Sequence, residues 1–205
     1  MSVRVKVCGI TRIEDAMAAI QSGADAIGFV FWPHSARYVT PETARQIVAK
    51  IPAFISTVGV YVDSDPEWVK ETLQIAGLDL LQFHGNESPE YCEQFPRPYI
   101  KAIRVREGLD LLQYAERFSN AKGLLLDTYA EKMPGGTGHV FDWGLIPLHL
   151  PLPLILSGGL HAGNVEAAIK QTRPWAVDVS SGVEASKGIK DEKKIFAFMQ
   201  GVKQL

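Results

Sequence analysis

Short runs rich in Val, Ile and Leu alternate along this chain with longer stretches whose apolar residues recur every three or four positions. The first pattern belongs to buried strands, the second to helices with one apolar face. Val3–Cys8 reads as a strand and Ile13–Gln21 as a helix, with Ile13, Met17 and Ile20 at helical spacing. Ala26–Phe31 and Pro41–Lys50 form the next pair, with Thr40 as N-cap and proline in the first turn. Phe54–Val62 then precedes Pro66–Ala76, capped by Asp65, and Leu78–Phe83 precedes the segment Ser88–Phe95. Tyr99–Val105 is followed by Leu109–Phe118, and Gly123–Asp127 by a weak helix near Trp143–Leu148. Leu154–Leu156 with Ala162–Gln171, and Trp175–Val179 with Glu192–Lys203, complete the series.

Strict strand–helix alternation implies a parallel sheet with right-handed crossovers. Eight such units within roughly 200–250 residues match a (β/α)8 TIM barrel, an α/β fold with a parallel eight-stranded core. A doubly wound open sheet is the rival. It would carry a G-x-G-x-x-G turn after its first strand, where Cys8-Gly9-Ile10-Thr11 stands instead. With no linker or low-complexity tract in view, residues 1–205 are expected to form one catalytic barrel domain.

Composition narrows the partners. The 21 Lys+Arg against 23 Asp+Glu leave a net charge of −2, which gives no basic footprint for nucleic acid or an anionic membrane. No apolar run approaches the ~18 residues of a membrane span, and Met1–Lys6 lacks a signal-peptide core. Cys8 and Cys92, far apart and in no CxxC pair, suit free thiols in a reducing, cytoplasmic setting.

In this fold, chemistry gathers at the C-terminal ends of the strands and in the loops after them. The polar residues there are Cys8, His84, Arg104, Asp127, Ser157-Gly158-Gly159 and the run from Asp178 to Gly182. Side-chain alternation places Val3, Val5 and Val7 against the helices and turns Lys6 and Cys8 into the barrel. Gln82 and His84 share the inner face of the fourth strand, and Asp178 and Ser180 that of the eighth. Two glycine-bearing loops, Ser157-Gly158-Gly159-Leu160 and Ser180-Ser181-Gly182-Val183, follow the seventh and eighth strands, the usual phosphate site of this fold. Taken singly, such glycines only permit tight turns. Together they favour a phosphate cradle built from Gly158, Gly159, Ser180, Ser181 and Gly182, the first loop using the N-terminus of the helix after it.

Cys8 on the polar face is a candidate base, with neighbouring Lys6 favouring the thiolate; the alternative is a small buried hydrophobe. Asp127 ends the apolar run Leu124-Leu125-Leu126, where desolvation raises a carboxyl pKa and suits a general acid; a cap or ion pair is the plain alternative. Arg37, in the long loop after the second strand, has the fork to hold a carboxylate; a surface arginine is the plain alternative. His84 lines the mouth or is a satisfied core histidine, and Lys6 and Asp178 are further residues expected to line it. The five His residues form no metal-ligand spacing, so no metal is expected. Cys92 reads as packing, and Gly135-Gly136-Thr137-Gly138 as a mobile lid.

Taken in order, Lys6-Val7-Cys8-Gly9-Ile10-Thr11, Gln82-Phe83-His84-Gly85, Leu125-Leu126-Asp127, Gly135-Gly136-Thr137-Gly138, Ser157-Gly158-Gly159-Leu160 with Asn164-Val165, and Asp178-Val179-Ser180-Ser181-Gly182-Val183-Glu184 followed by Lys187-Gly188-Ile189-Lys190-Asp191 resemble the phosphoribosylanthranilate isomerase family of tryptophan biosynthesis. The resemblance spans essentially the whole chain. It implies the Amadori rearrangement of N-(5-phosphoribosyl)anthranilate to 1-(2-carboxyphenylamino)-1-deoxyribulose 5-phosphate, with no cofactor. It implies Cys8 as general base, Asp127 as general acid, Arg37 as holder of the anthranilate carboxylate, and the glycine loops as phosphate cradle. The departures are Ala36, Phe83 and Ser157, where the family usually has proline, leucine and alanine. Related phosphosugar barrels, indole-glycerol-phosphate synthase and ribulose-phosphate epimerase, would show a lysine acid with glutamates, or paired Asp and His metal ligands; neither set is evident. A non-catalytic phosphosugar-binding barrel is the reading from another class. The pattern is compatible with a monomer or a homodimer alike.

Overall fold

The computed structural model describes residues 3–128 and 142–203, and within them the alternation of the sequence becomes a closed cylinder. Eight parallel strands run β1 (Arg4–Cys8), β2 (Ala26–Val30), β3 (Ser56–Tyr61), β4 (Leu80–Phe83), β5 (Tyr99–Val105), β6 (Leu124–Thr128), β7 (Leu154–Leu156) and β8 (Ala176–Val179). Each pairs with the next in chain order, and β8 returns to β1, with Lys6 opposite Asp178 at the seam. The helices described are α1 (Ile13–Ser22), α2 (Pro41–Val48), α3 (Pro66–Ala76), α4 (Pro89–Glu93), α5 (Leu111–Arg117), α6 (Val165–Thr172) and α7 (Glu192–Lys203).

The caps explain where several helices begin. Thr40 accepts from Thr43 N at 3.2 Å, Asp65 from Glu67 N at 2.8 Å and Ser88 from Tyr91 N at 3.3 Å. Each is followed by proline at the first helical position, where its fixed φ suits the helix and its missing N–H costs nothing. A cap of this kind contributes about 1 kcal/mol.

Alternation sorts the strand residues as expected. Val5 and Val7 join the main apolar core between sheet and helices, with Ile27, Leu81, Phe83, Leu124 and Leu126. Inside the barrel, Ile100, Ala102 and Leu125 pack with Leu80 and Ile155, while Cys8, Val30 and Val60 cluster nearer the mouth with Trp32. The apolar interior closes the barrel below and leaves the polar ends of the strands above it.

Four local expectations change. The sixth crossover shows only a 3₁₀ turn, Trp143–Leu145, among the described residues; proline at position 147 cannot continue it. Phe54 lies outside β3, fully exposed in the left-handed region at φ 72°. Helix α6 starts at Val165, because His161–Asn164 forms a turn in which Asn164 Oδ1 accepts from His161 N at 2.8 Å. A small antiparallel hairpin, β9 (Glu184–Ser186) with β10 (Ile189–Lys190), is an addition that alternation did not announce. The lid assigned to Gly135–Gly138 lies outside the described residues.

Gly28 of β2 faces inward beside β1, where an added Cβ would stand 2.9 Å from Cys8 Sγ and 3.1 Å from Lys6 Cε. Lys6 Cε is packed in the interior, and Cys8 Cα, 3.3 Å from the added atom, is backbone, so neither has much room to move. Gly28→Ala is expected to lower stability by about 1–3 kcal/mol, read by denaturant titration. It should also displace Cys8; an unchanged midpoint and unchanged thiol reactivity would show that the interior yields.

Candidate active site

The C-terminal ends of the strands open onto a concave cavity with mixed polar and apolar walls, the form a small-ligand site takes. Cys8 from β1, Gln82 and His84 from β4 and its following turn, and Asp127 from β6 all line it. Val30, Trp32, Val60 and Val62 supply an apolar wall beside Cys8, and Ser157 to Leu160 with Ser180 and Ser181 form the opposite rim. Strands β1 and β6 lie well apart around the ring, so Cys8 and Asp127 reach the cavity from different sides.

Asp127 is buried, yet one carboxylate oxygen is engaged from each side. Oδ1 accepts from Thr128 N at 2.8 Å, and Oδ2 lies 3.1 Å from His84 Nε2. His84 Nδ1 in turn lies 3.0 Å from Gln82 Nε2. His84 is therefore part of the mouth rather than a core histidine. Gly158 has φ 82°, and a side chain there would collide with Thr128 and come within 2.9 Å of Asp127 Oδ1. The glycine is needed for close approach as much as for its turn.

The two glycine loops meet. A Cβ on Gly182 would overlap the carbonyl of Leu160, so the loop after β8 is pressed against the loop after β7. Gly182 therefore packs behind the rim and does not line the cavity. Among the described residues, the backbone N–H groups of Gly159, Ser181 and Gly182 have no acceptor. Convergent free N–H groups make an anion site. The dipole contribution expected from the helix after Gly159 is weaker than anticipated, since five residues separate that glycine from α6 and the field fades within a turn.

Arg37 lines the cavity with part of its guanidinium already engaged: Nε and Nη2 donate to the two oxygens of Glu184 at 2.6 and 2.7 Å. Its stem crosses Gly9, where an added Cβ would lie 2.5 Å from Arg37 Cδ. Three of the five guanidinium N–H donors remain for a ligand. Glu184 also accepts from Lys190 Nζ at 3.0 Å, and Lys190 donates to Ser180 O at 3.1 Å, which ties the hairpin to the rim. Lys6, expected among the lining residues, is instead buried beneath Cys8, donating to Asp178 Oδ1 at 2.7 Å. Arg104 points away from the cavity, its Nη2 donating to His84 O at 3.1 Å.

The family model for N-(5'phosphoribosyl)anthranilate (PRA) isomerase matches residues 5–201. This chain belongs to that family. A phosphoribosylanthranilate isomerase of Nitrosospira multiformis is 69% identical over 202 residues, covering 98% of this chain and 97% of its own. The crystal structure of the Thermotoga maritima phosphoribosyl anthranilate isomerase superposes with a TM-score of 0.88 at 44% identity, covering 99% of this chain and 100% of that one. A second isomerase structure, in complex with reduced 1-(o-carboxyphenylamino)-1-deoxyribulose 5-phosphate, has a TM-score of 0.85 at 43% identity, covering 99% of this chain and 100% of that one.

Within this isomerase barrel, electrostatics revise one expectation. Burial pushes the Cys8 thiol above its ordinary value of 9.0, outweighing the pull of Lys6 and Lys190. Asp178 adds to the upward push, because the anion that pairs Lys6 also faces the thiol. Burial acts against the Lys6 ammonium too, but Asp178 and Cys8 prevail and raise it. For Glu184, burial opposes the charge, while Arg37 and Lys190 hold the carboxyl below its ordinary 4.5. Among the described residues, no group of three or more His, Cys, Asp or Glu is placed to hold a metal ion. Cys92 is buried away from the mouth, as its packing role requires.

Sequence reading missed Glu184 and Lys190 as the anchors of Arg37 and Ser180, and Trp32 as part of the apolar wall. The signal for the first two was faint: charged residues flanking Lys187-Gly188, a turn tight enough for a hairpin. Removing one partner of a buried pair strands the other charge. Lys6→Met is expected to cost about 3–5 kcal/mol in chemical denaturation, with Lys6→Met/Asp178→Leu recovering most of it. Glu184 contributes stability that is full above its unfolded value of 4.5 and is lost as pH falls through the lower folded value. Glu184→Gln should flatten the acid limb of the stability curve; an unaltered limb would assign it to other carboxylates.

Proposed function

We propose that this chain performs the isomerisation of its family, the Amadori rearrangement of N-(5-phosphoribosyl)anthranilate, with Cys8 as general base and Asp127 as general acid. The observation that carries the assignment is that both groups line one cavity, together with a free-N–H rim and a forked cation. The rim of Gly158, Gly159, Ser180 and Ser181, braced by Gly182, would hold the phosphate. Arg37, with three donors left over from Glu184, would hold the anthranilate carboxylate. Its ring then lies against Val30, Trp32, Val60 and Val62, surfaces that bury well and form no competing hydrogen bonds.

In this arrangement Asp127 protonates the ribose ring oxygen, the C1′–O bond breaks, and the anilino nitrogen supplies electrons to form the Schiff base. The Cys8 thiolate then removes the C2′ proton, giving an enolamine that tautomerises to the ketone. Each proton transfer is typically worth ~10²–10⁴-fold. The raised thiol value makes the thiolate scarce at neutral pH but strongly basic, which suits abstraction of a carbon-bound proton. Lys6 and Lys190 serve as the cations that keep the thiolate accessible within a buried site. The phosphosugar is the partner inferred here, in preference to nucleic acid, and free buried thiols suit a cytoplasmic setting. No helix among the described residues is long and apolar enough to cross a membrane.

Conversion is followed directly by the loss of anthranilate-type fluorescence on mixing protein with substrate. Cys8→Ser and Asp127→Asn should each lower kcat by at least ~10²-fold while product binding persists. Binding without turnover in the wild type would establish a phosphosugar-binding barrel instead. Because the proton bound to Cys8 must leave, kcat/KM is expected to climb from neutrality to at least the ordinary thiol value of 9.0. A plateau reached well below that value would place the base elsewhere.

A further inference from the structure

Gln82 and His84 lie on the inner face of the fourth strand and the turn after it, adjacent to Asp127. Gln82 is 1% exposed, and its amide has a single side-chain partner, the His84 ring. Among the described residues, its Oε1 is buried with no hydrogen-bond partner. An unmet buried acceptor costs about 1–3 kcal/mol, so an apolar side chain would be the more stable choice at this position unless the remaining bond is needed. That bond is Nε2 to His84 Nδ1, at 3.0 Å. An amide N–H can only donate, so Nδ1 must accept, and the ring hydrogen then sits on Nε2. Nε2 faces Asp127 Oδ2 at 3.1 Å.

We propose that Gln82 and His84 are positioning residues for Asp127, with the Gln82 amide selecting the His84 tautomer whose Nε2–H holds the carboxyl group. This inference rests on the reading of Asp127 as the general acid. With Oδ2 accepting from His84 and Oδ1 from Thr128 N, the plane of the carboxyl group is fixed from both ends. Among the described residues, nothing takes the second lone pair of either oxygen. The acidic proton rides on one of these and is delivered from a fixed direction, instead of from a carboxyl free to rotate. The arrangement parallels the logic by which a ring nitrogen's role is set through the bond made by the other nitrogen. The charged groups around the ring are Asp127 from the sixth strand and Arg104 from the fifth, whose Nη2 bonds the His84 carbonyl at 3.1 Å and fixes the backbone beneath the imidazole.

The alternative is a structural role, in which the three side chains merely fill the mouth. Steady-state kinetics of the intact protein separates the two when combined with imidazole ¹⁵N NMR. His84→Leu removes the donor and should lower kcat by roughly 10- to 100-fold with KM changed less than about twofold. His84→Gln, whose Nε2 reaches a similar point, should restore most of kcat. Gln82→Met keeps the volume but frees the tautomer; its His84 spectrum should shift from the Nε2–H form toward a mixture, with a smaller fall in kcat. Wild-type spectra showing the Nδ1–H form, or His84→Leu with wild-type kcat, would overturn the proposal. If His84→Leu fails to fold, Gln82→Met still decides: wild-type kcat with the His84 tautomer displaced overturns it. Asp127→Asn run alongside keeps the two readings apart. An inactive Asp127→Asn beside a fully active His84→Leu removes the positioning role alone, whereas an active Asp127→Asn removes the acid itself.

Discussion

The barrel closes where β8 meets β1, and at that seam a buried lysine faces a buried aspartate. Lys6 and Asp178 are register partners, joined at 2.7 Å and shielded from water by the strands on both sides. Neither charge is tolerable there alone, because desolvating an unpaired ion costs several kcal/mol. The ring must therefore close in this register for both to be satisfied. The same pair fixes the environment of Cys8, two residues along β1, whose thiol feels the cation as attraction and the anion as repulsion. Closure of the fold thus also sets the charges that act on the proposed base, beside the burial that dominates its protonation.

A second ionic group, outside the barrel proper, organises the rim. Glu184 stands between Arg37 and Lys190, two cations to one carboxylate, and its hairpin is joined through Lys190 to Ser180. Of these cations Arg37 reaches the cavity, whose far rim offers, among the described residues, N–H groups without an acceptor. A ligand with anionic groups at both ends fits such a field, with an apolar patch in the middle for whatever joins them. The proposed substrate has that layout: a phosphate, a sugar, and an aromatic acid.

Much of this was legible in the residues. Eight alternating apolar runs, helix caps at Thr40, Asp65 and Ser88, and period-two parity in β1, β4 and β8 fix the barrel and say which side chains turn inward. Parity placed Cys8 and Gln82 on the inner face, and the end of an apolar run placed Asp127 at the mouth. The weak points were where local pattern has no say. The sixth crossover carried too little periodicity for a helix, and the hairpin after β8 had only a glycine turn to announce it. His84 was expected to line the mouth or to be a satisfied core residue, and the sequence left the choice open because a single histidine in a strand carries no mark of what lies opposite it.

The sequence by itself determined the architecture and which face of each strand turns inward, because hydrophobic periodicity and turn chemistry act over a few residues and need no knowledge of the rest of the chain. What only the tertiary structure decided was the state of those groups. Lys6 beside Cys8 suggested an activated thiolate, yet Asp178, 172 residues away, consumes the cation, and burial then dominates. Arg37 looked like a free carboxylate fork until Glu184, 147 residues on, was found holding two of its donors. Charge interactions and desolvation depend on distance and dielectric, and both are properties of the closed barrel rather than of neighbours along the chain.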